Sequence, residues 1–162
     1  MTKQKLISPI LMWIIVFAGI AAIFTIAPKT LLFPRTIFNA FILVLAILYF
    51  VYLFVSAFHA HPRAARSVAG IEKIITRGIY ARVRHPFYSA EMALAWGLFI
   101  YFPSMRMLVC VVWLTAVLIF WMKLEEQALT EKFDAEYKEY RSAVPMLIPR
   151  FLRRPPNSRT PS

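Results

Sequence analysis

Two long stretches without charged residues dominate the first third of the chain. Residues 6–28 and 36–62 contain no Asp, Glu, Lys or Arg, and each is long enough for a helix of about 20 residues across a bilayer. We therefore predict transmembrane helices at residues 9–27 and 37–59. A cleaved signal peptide is the alternative for the first helix, although its apolar stretch is longer than a typical signal sequence.

Two shorter apolar runs follow a polar stretch of the chain. They cover residues 88–102 and 107–122, and residues 103–105 separate them. At a rise of about 1.5 Å per residue, neither run comfortably spans about 30 Å of hydrocarbon. We predict a tight helical hairpin that crosses the membrane fully or stops part-way.

Residues 123–140 are charged and yet periodic. Leu129, Phe133 and Tyr137 recur every four residues, which predicts an amphipathic helix that lies against the membrane or the helix bundle. Pro145 is expected to end this helix.

The predicted fold is therefore all-α. It is a polytopic membrane protein with about four transmembrane helices, the last two forming a short hairpin, and a C-terminal amphipathic helix. Residues 1–151 form one membrane-embedded domain, and residues 152–162 form a basic, disordered tail. Basic residues of this kind favour anionic membrane lipids as partners.

Composition and charge support this assignment and add an orientation. Of the 162 residues 60% are apolar, and the net charge is +11; soluble domains are roughly 45–50% apolar. The basic residues lie outside the apolar runs, so we expect no nucleic-acid partner. Sixteen of the 19 Lys and Arg residues fall on one side of the predicted topology. Both termini should therefore be cytoplasmic, in a prokaryotic inner membrane or the endoplasmic reticulum.

Several common binding motifs are absent from the sequence. The chain has one cysteine, Cys110, and its four glycines form neither a dinucleotide-binding motif nor a phosphate-binding loop. His59 and His61 do not share a helical face, so we expect no metal site.

The predicted hairpin brings polar side chains together at the cytoplasmic interface. Arg84, His85 and Tyr88 lie where the chain begins the hairpin, and Glu125 and Glu126 lie just after its second helix. Glu125 lies on the apolar face of the next helix, where an unpartnered carboxylate is costly. A ligand or a basic neighbour should therefore contact it.

A purely structural interpretation of the two glutamates also stays open. In it, Glu125 pairs with Arg84 or Arg82, and Glu126 pairs with Lys123 on a solvated face.

Glu91 is the only acidic residue inside a predicted transmembrane segment. An ionisable residue at such a position is a candidate for function. In the structural alternative, Glu91 pairs with Arg84, or its side chain reaches the membrane–water interface.

A known family matches these residues in order. Residues 78–88, GIYARVRHPFY, then a hydrophobic hairpin and Leu124-Glu125-Glu126, resemble the isoprenylcysteine carboxyl methyltransferase family and its phospholipid methyltransferase relatives. The resemblance covers residues 75–151, and the first two helices carry no motif.

The resemblance implies an integral membrane methyltransferase that uses S-adenosylmethionine. The cofactor would occupy a cytoplasm-facing pocket roofed by the C-terminal segment, and a lipidic substrate would come from the bilayer. Arg84 and Glu125 are the expected catalytic residues. The matching cofactor-binding positions are His85, Pro86, Tyr88, Glu125, Glu126, Tyr137, Tyr140 and Arg141. The acceptor is a carboxylate, such as that of a prenylcysteine, or a lipid amine.

Two positions depart from the family pattern, and other functions stay open. The family often has glycine where Ala90 and Asp134 stand here, and Asp134 adds a charge near the roof. One alternative is an NADPH-dependent membrane reductase of related fold, with a phosphate site at Arg82, Arg84 or Arg141. Another is a small transporter or non-catalytic membrane protein. The oligomeric state is left open.

Overall fold

A computed structural model describes residues 8–60 and 73–150, and the regular elements of those residues are helices. They are α1 (Pro9–Ile26), α2 (Ile37–Ala60), a 3₁₀ helix (Gly78–Ala81), α3 (Pro86–Tyr101) and α4 (Met105–Ala143). The two predicted N-terminal helices are confirmed to within one residue at each end.

Three of these helices, α1, α2 and α4, are long and apolar enough to cross a membrane. Their outer faces carry exposed apolar side chains, such as Ile37 at 78% and Phe38 at 73% exposure. Such surfaces are suited to lipid, because a soluble protein rarely exposes large contiguous apolar patches. The chain is an integral membrane protein.

α3 is shorter, with 16 residues, or about 24 Å of helix. Its C-terminal end still meets the start of α2, because the Asn39 side-chain amide donates to the Ile100 carbonyl at 2.7 Å. At the turn that follows, the Met105 amide donates to the Thr30 carbonyl at 2.9 Å. The predicted hairpin is confirmed, and the number of complete crossings stays a prediction.

The helices pack in the order α1, α4, α3, α2, and α1 and α2 form the two ends of the row. Two glycines bring neighbours close together. A Cβ at Gly19 would lie 2.1 Å from Trp113 Nε1, and one at Gly97 would lie 2.4 Å from the Ala46 Cβ. Small residues at helix contacts are typical of membrane bundles, where backbones approach closely.

The C-terminal amphipathic helix does not begin at the predicted residue 123. Helical residues run on from Met105 to Ala143, and a kink at Asp134, where φ is 38° and ψ is −109°, divides them into two parts. Tyr137 and Tyr140 on the continued helix are buried beside Ile74. The helix ends at Ala143, just before the predicted stop.

Residues 144–150, which we call the closing segment, run back along the start of α3. The Arg84 and His85 amides donate to the Pro145 and Met146 carbonyls, at 2.9 and 3.1 Å. Farther along, the Ser89 hydroxyl donates to the Leu147 carbonyl at 2.6 Å. The closing segment therefore covers the residues that enter the hairpin. The predicted tail at 152–162 lies outside the described residues.

Candidate functional site

A cavity opens at the end of the bundle where α3 begins, with a volume of about 260 Å³. This is close to the lower end of the roughly 300–1,000 Å³ typical of small-molecule sites. Apolar side chains from both ends of the helix row form one part of its wall: Met12, Trp13, Phe54 and Phe58. Polar side chains form the other part: Lys73, Tyr80, Arg84, His85, Tyr88, Glu91, Glu125, Tyr137 and Tyr140.

Pro86 sets the position of His85. As the first residue of α3, Pro86 suits a place where no amide hydrogen bond is needed, and it keeps the preceding residue out of helical conformation. His85 has φ of −120° and ψ of 68° and is 7% exposed. Its ring is therefore held at the break between loop and helix, and Pro86 also lines the cavity.

His85 stands between the two glutamates. Its Nε2 lies 3.2 Å from Glu126 Oε1, and its Nδ1 lies 3.7 Å from Glu125 Oε2. The second distance is longer than a hydrogen bond. The prediction that the hairpin brings these side chains together is confirmed.

Glu126 is the centre of a buried charge cluster. Arg84 Nη1 donates to its Oε1, Arg141 Nε lies 3.5 Å from its Oε2, and the residue is 5% exposed. Two predicted structural pairings are therefore wrong: Arg84 binds Glu126 rather than Glu125, and Glu126 is not on a solvated face with Lys123. The loop before α3 covers this side of α4.

Glu126 and Arg141 lie behind the cavity wall rather than on it. The Arg141 side chain is 56% exposed, and its guanidinium lies beside the Glu126 carboxylate. Among the expected cofactor-binding residues, Glu126 therefore reaches the cavity through Arg84 and His85, and Arg141 contacts Glu126. Glu126 points away from the cavity that Glu125 faces, because adjacent residues on a helix point about 100° apart.

Glu125 faces the cavity itself. The Tyr88 hydroxyl donates to its Oε1 at 2.6 Å. In the part of the chain that the structure describes, no lysine or arginine lies within 4.0 Å of this carboxylate, and His85 is its one basic neighbour. Its negative charge is therefore available to a ligand, unlike that of Glu126.

Three tyrosines close the cavity on the side of the loop. The Tyr140 hydroxyl donates to the Tyr80 carbonyl at 2.7 Å, and the Tyr137 and Tyr140 rings lie 5.9 Å apart. Burial, together with the negative charge of Glu125, raises the pKa of the Tyr80 hydroxyl. Tyr80 is therefore a neutral hydrogen-bonding group at ordinary pH.

Two polar atoms at the cavity have no hydrogen-bond partner among the described residues. They are Arg84 Nε, a donor, and Glu91 Oε2, an acceptor, and both are buried. Buried polar groups are normally hydrogen-bonded, so each unpaired atom calls for an explanation. A ligand in the cavity would supply the missing partners.

Several residues of the cavity wall were not predicted from the sequence. Tyr80 lies within the motif at 78–88, and this position was its only signal. Trp13, Phe54 and Phe58 come from helices without a motif, and nothing in their apolar sequences distinguishes them from lipid-facing residues. Their place in the wall depends on the order in which the helices pack.

Comparison with known proteins gives one result. A model of the phospholipid methyltransferase family matches residues 37–136, more than half of the chain. The match starts at the first residue of α2, well before the motif, and ends just before Tyr137. Searches of curated proteins and of solved structures found no match.

Proposed function

The chain belongs to the phospholipid methyltransferase family, a family of membrane methyltransferases, and we propose that it uses S-adenosylmethionine to methylate a lipid-like acceptor. One observation carries this proposal: a cavity at the end of a membrane bundle has an apolar wall on one side and unpaired polar atoms on the other. Such a cavity suits a polar cofactor next to an apolar substrate.

The polar wall has groups that fit S-adenosylmethionine, which supplies an electrophilic methyl group on a sulfonium when bound. Arg84 Nε is a buried donor without a partner and suits the cofactor's carboxylate. Glu125 can accept hydrogen bonds from hydroxyl or amino groups. The Tyr88 and Tyr137 rings on the cavity wall are suited to a cation, because aromatic faces attract positive charge.

The apolar wall supports an acceptor that comes from the bilayer. Trp13 belongs to α1, and Phe54 and Phe58 belong to α2, the two ends of the helix row. Side chains from both of these helices line the cavity, which supports an apolar chain that comes from the membrane. The basic connections at this end of the bundle favour a cytoplasmic location and attract anionic lipids.

The residues around the cavity contribute positioning rather than acid–base chemistry on the cofactor. Methyl transfer is an in-line displacement, so holding the reactants together and excluding water provide most of the acceleration. The cluster of Arg84, His85 and Glu126 fixes the polar wall, and the closing segment shields it. Arg84 therefore binds the carboxylate of the cofactor and positions it, and Glu125 contacts the cofactor.

The reductase alternative has less support. It needs a phosphate site at Arg82, Arg84 or Arg141, but Arg84 and Arg141 both contact Glu126. Their charges are thus shared with Glu126, which disfavours a doubly charged phosphate more than the single carboxylate of S-adenosylmethionine.

Cofactor binding tests the proposal directly. The full chain in nanodiscs is titrated with labelled S-adenosylmethionine, and Glu125→Gln is expected to weaken binding roughly tenfold or more, since a hydrogen bond to a charged group is lost. Glu139→Gln, an exposed change on the same helix, should leave binding intact. Unaltered binding in both Glu125→Gln and His85→Ala, or a preference for NADPH, would contradict the proposal.

A further inference from the structure

A second cavity lies between α2 and the 3₁₀ helix, and we call it the α2 groove. Its volume is about 220 Å³, and it is lined by Tyr52, Ser56, Gly78, Ile79 and Arg82. The first cavity takes Tyr80 and Arg84 from the same segment. The two cavities share no lining residue, so residues 78–84 contribute to each with different side chains.

The α2 groove is preformed, because a glycine lets the 3₁₀ helix approach the end of α2. Gly78 has φ of 63°, a conformation that glycine adopts without strain. A Cβ at this position would lie 3.1 Å from the Ala60 Cβ. The next residue, Ile79, belongs to a buried cluster with Leu53 and Ala57 of α2. The protein's own packing therefore holds the two walls of the groove together.

The position of the α2 groove along α2 suits a lipid headgroup. α2 has 24 residues and is about 36 Å long, slightly more than the roughly 30 Å of hydrocarbon that it crosses. Ser56 lies four residues before its end at Ala60, about 6 Å along the axis. On the same stretch of α2, Val51 and Val55 are 49% and 47% exposed. Acyl chains can therefore pack against α2 while their headgroup reaches the groove.

The groove offers hydrogen-bond donors and positive charge. Arg82 is exposed and brings its guanidinium, and Tyr52 and Ser56 bring hydroxyls that have no hydrogen-bond partner among the described residues. The Arg150 amide donates to the Arg82 carbonyl at 3.1 Å, so a second basic residue lies next to the first. Guanidinium and hydroxyl groups are suited to the oxygens of a phosphate.

The charge of the groove also distinguishes between kinds of headgroup. No acidic residue is among the described residues that line it, so the ammonium of a zwitterionic headgroup would find no carboxylate there. An anionic headgroup has no such unmatched charge, and basic residues near a membrane surface attract it. The groove therefore favours a phospholipid with a net negative charge.

We propose that the α2 groove binds the phosphate of an anionic phospholipid, whose acyl chains lie along α2. Arg82 pairs with the phosphate, and the Tyr52 and Ser56 hydroxyls donate to it. This lipid is a bound partner and not the methyl acceptor, because the groove shares no residue with the first cavity. The proposal does not depend on the proposed function, since it needs only the groove and the membrane around α2.

Photocross-linking without cofactor tests the site. The full chain is placed in phosphatidylcholine nanodiscs that contain a trace of phosphatidylglycerol with a photoactivatable acyl chain or, separately, an equal trace of phosphatidylcholine with the same chain. The anionic probe should label residues 48–60 more than the zwitterionic probe does. Arg82→Gln should reduce this labelling roughly tenfold, because a hydrogen bond to a charged group is lost, and Arg82→Lys should keep part of it.

Matched controls separate this site from a general attraction of anionic lipids. Arg77→Gln removes the same charge from an exposed residue next to the groove and should lose much less labelling than Arg82→Gln. The double variant Tyr52→Phe/Ser56→Ala should also lose labelling, and it provides a second test if Arg82→Gln does not fold. Equal labelling by the two probes, or equal losses in Arg77→Gln and Arg82→Gln, would overturn the proposal. Displacement of the anionic probe by inorganic phosphate would overturn the lipid as the ligand.

Discussion

The backbone at Asp134 predicts that one substitution will stabilise the protein. Asp134 has φ of 38° inside α4, and no other non-glycine residue in the described ranges has a positive φ. A side chain in such a conformation costs about 1–3 kcal/mol, whereas glycine adopts it without that strain. The carboxylate makes one exposed ion pair, with Lys138 at 2.6 Å.

The expected gain follows from three contributions. Asp134→Gly relieves about 2 kcal/mol of backbone strain. It loses about 0.4 kcal/mol from the exposed ion pair and about 0.7 kcal/mol from the greater freedom of glycine in the unfolded chain. The net stabilisation is about 1 kcal/mol, which raises the thermal midpoint by about 2–4 °C in a chain of this size.

Thermal unfolding in detergent, followed by tryptophan fluorescence, measures this difference. Asp134→Ala is the matched control, because it removes the same ion pair and keeps the Cβ. It should be no more stable than wild type. Equal stabilisation by glycine and alanine, or a lower midpoint for the glycine variant, would refute the strain argument.

Three other substitutions probe the cluster, the closing segment and the helix packing. Arg84→Met should lower the free energy of unfolding by about 3–5 kcal/mol, since it leaves Glu126 buried without its main cation. The double variant Arg84→Met/Glu126→Met should regain stability in thermal unfolding but should not regain cofactor binding. If both stability and cofactor binding return, the ion pair is purely structural. Ser89→Ala removes the hydrogen bond to the Leu147 carbonyl. This change should cost about 1 kcal/mol of stability and speed hydrogen exchange in the closing segment. Unchanged exchange would show that other contacts hold the closing segment in place. Gly97→Ala should lower the thermal midpoint, because a Cβ there would lie 2.4 Å from the Ala46 Cβ of α2; an unchanged midpoint would argue against close packing.

The helices were predictable because lipid imposes a simple condition on the sequence. A chain in hydrocarbon must satisfy its backbone hydrogen bonds internally, so a long charge-free run indicates a helix. The same reasoning placed a false boundary at Lys123, where the composition changes. No proline or glycine stands between residues 107 and 143, and the helix therefore continues past Lys123 as far as the kink at Asp134.

Many of the polar residues of the candidate site were predictable from the sequence, but their partners and the apolar wall were not. Helical periodicity put Glu125 on the apolar face, and the structural alternative put Glu126 on a solvated face, yet Glu126 is 5% exposed. Periodicity describes one helix, whereas the burial of Glu126 comes from the loop before α3. Contacts between such distant parts of the chain are not contained in the spacing of residues along one element.

The position of the closing segment also determines when the site can form during synthesis. Backbone carbonyls of Pro145 and Met146 accept the amides of Arg84 and His85, so a chain interrupted after α4 has every helix and both glutamates but lacks these acceptors. Ribosomes make the chain from its N-terminus, and α1 to α4 can enter the bilayer first. A nascent chain therefore becomes a complete enzyme only when the residues after the last helix have been added.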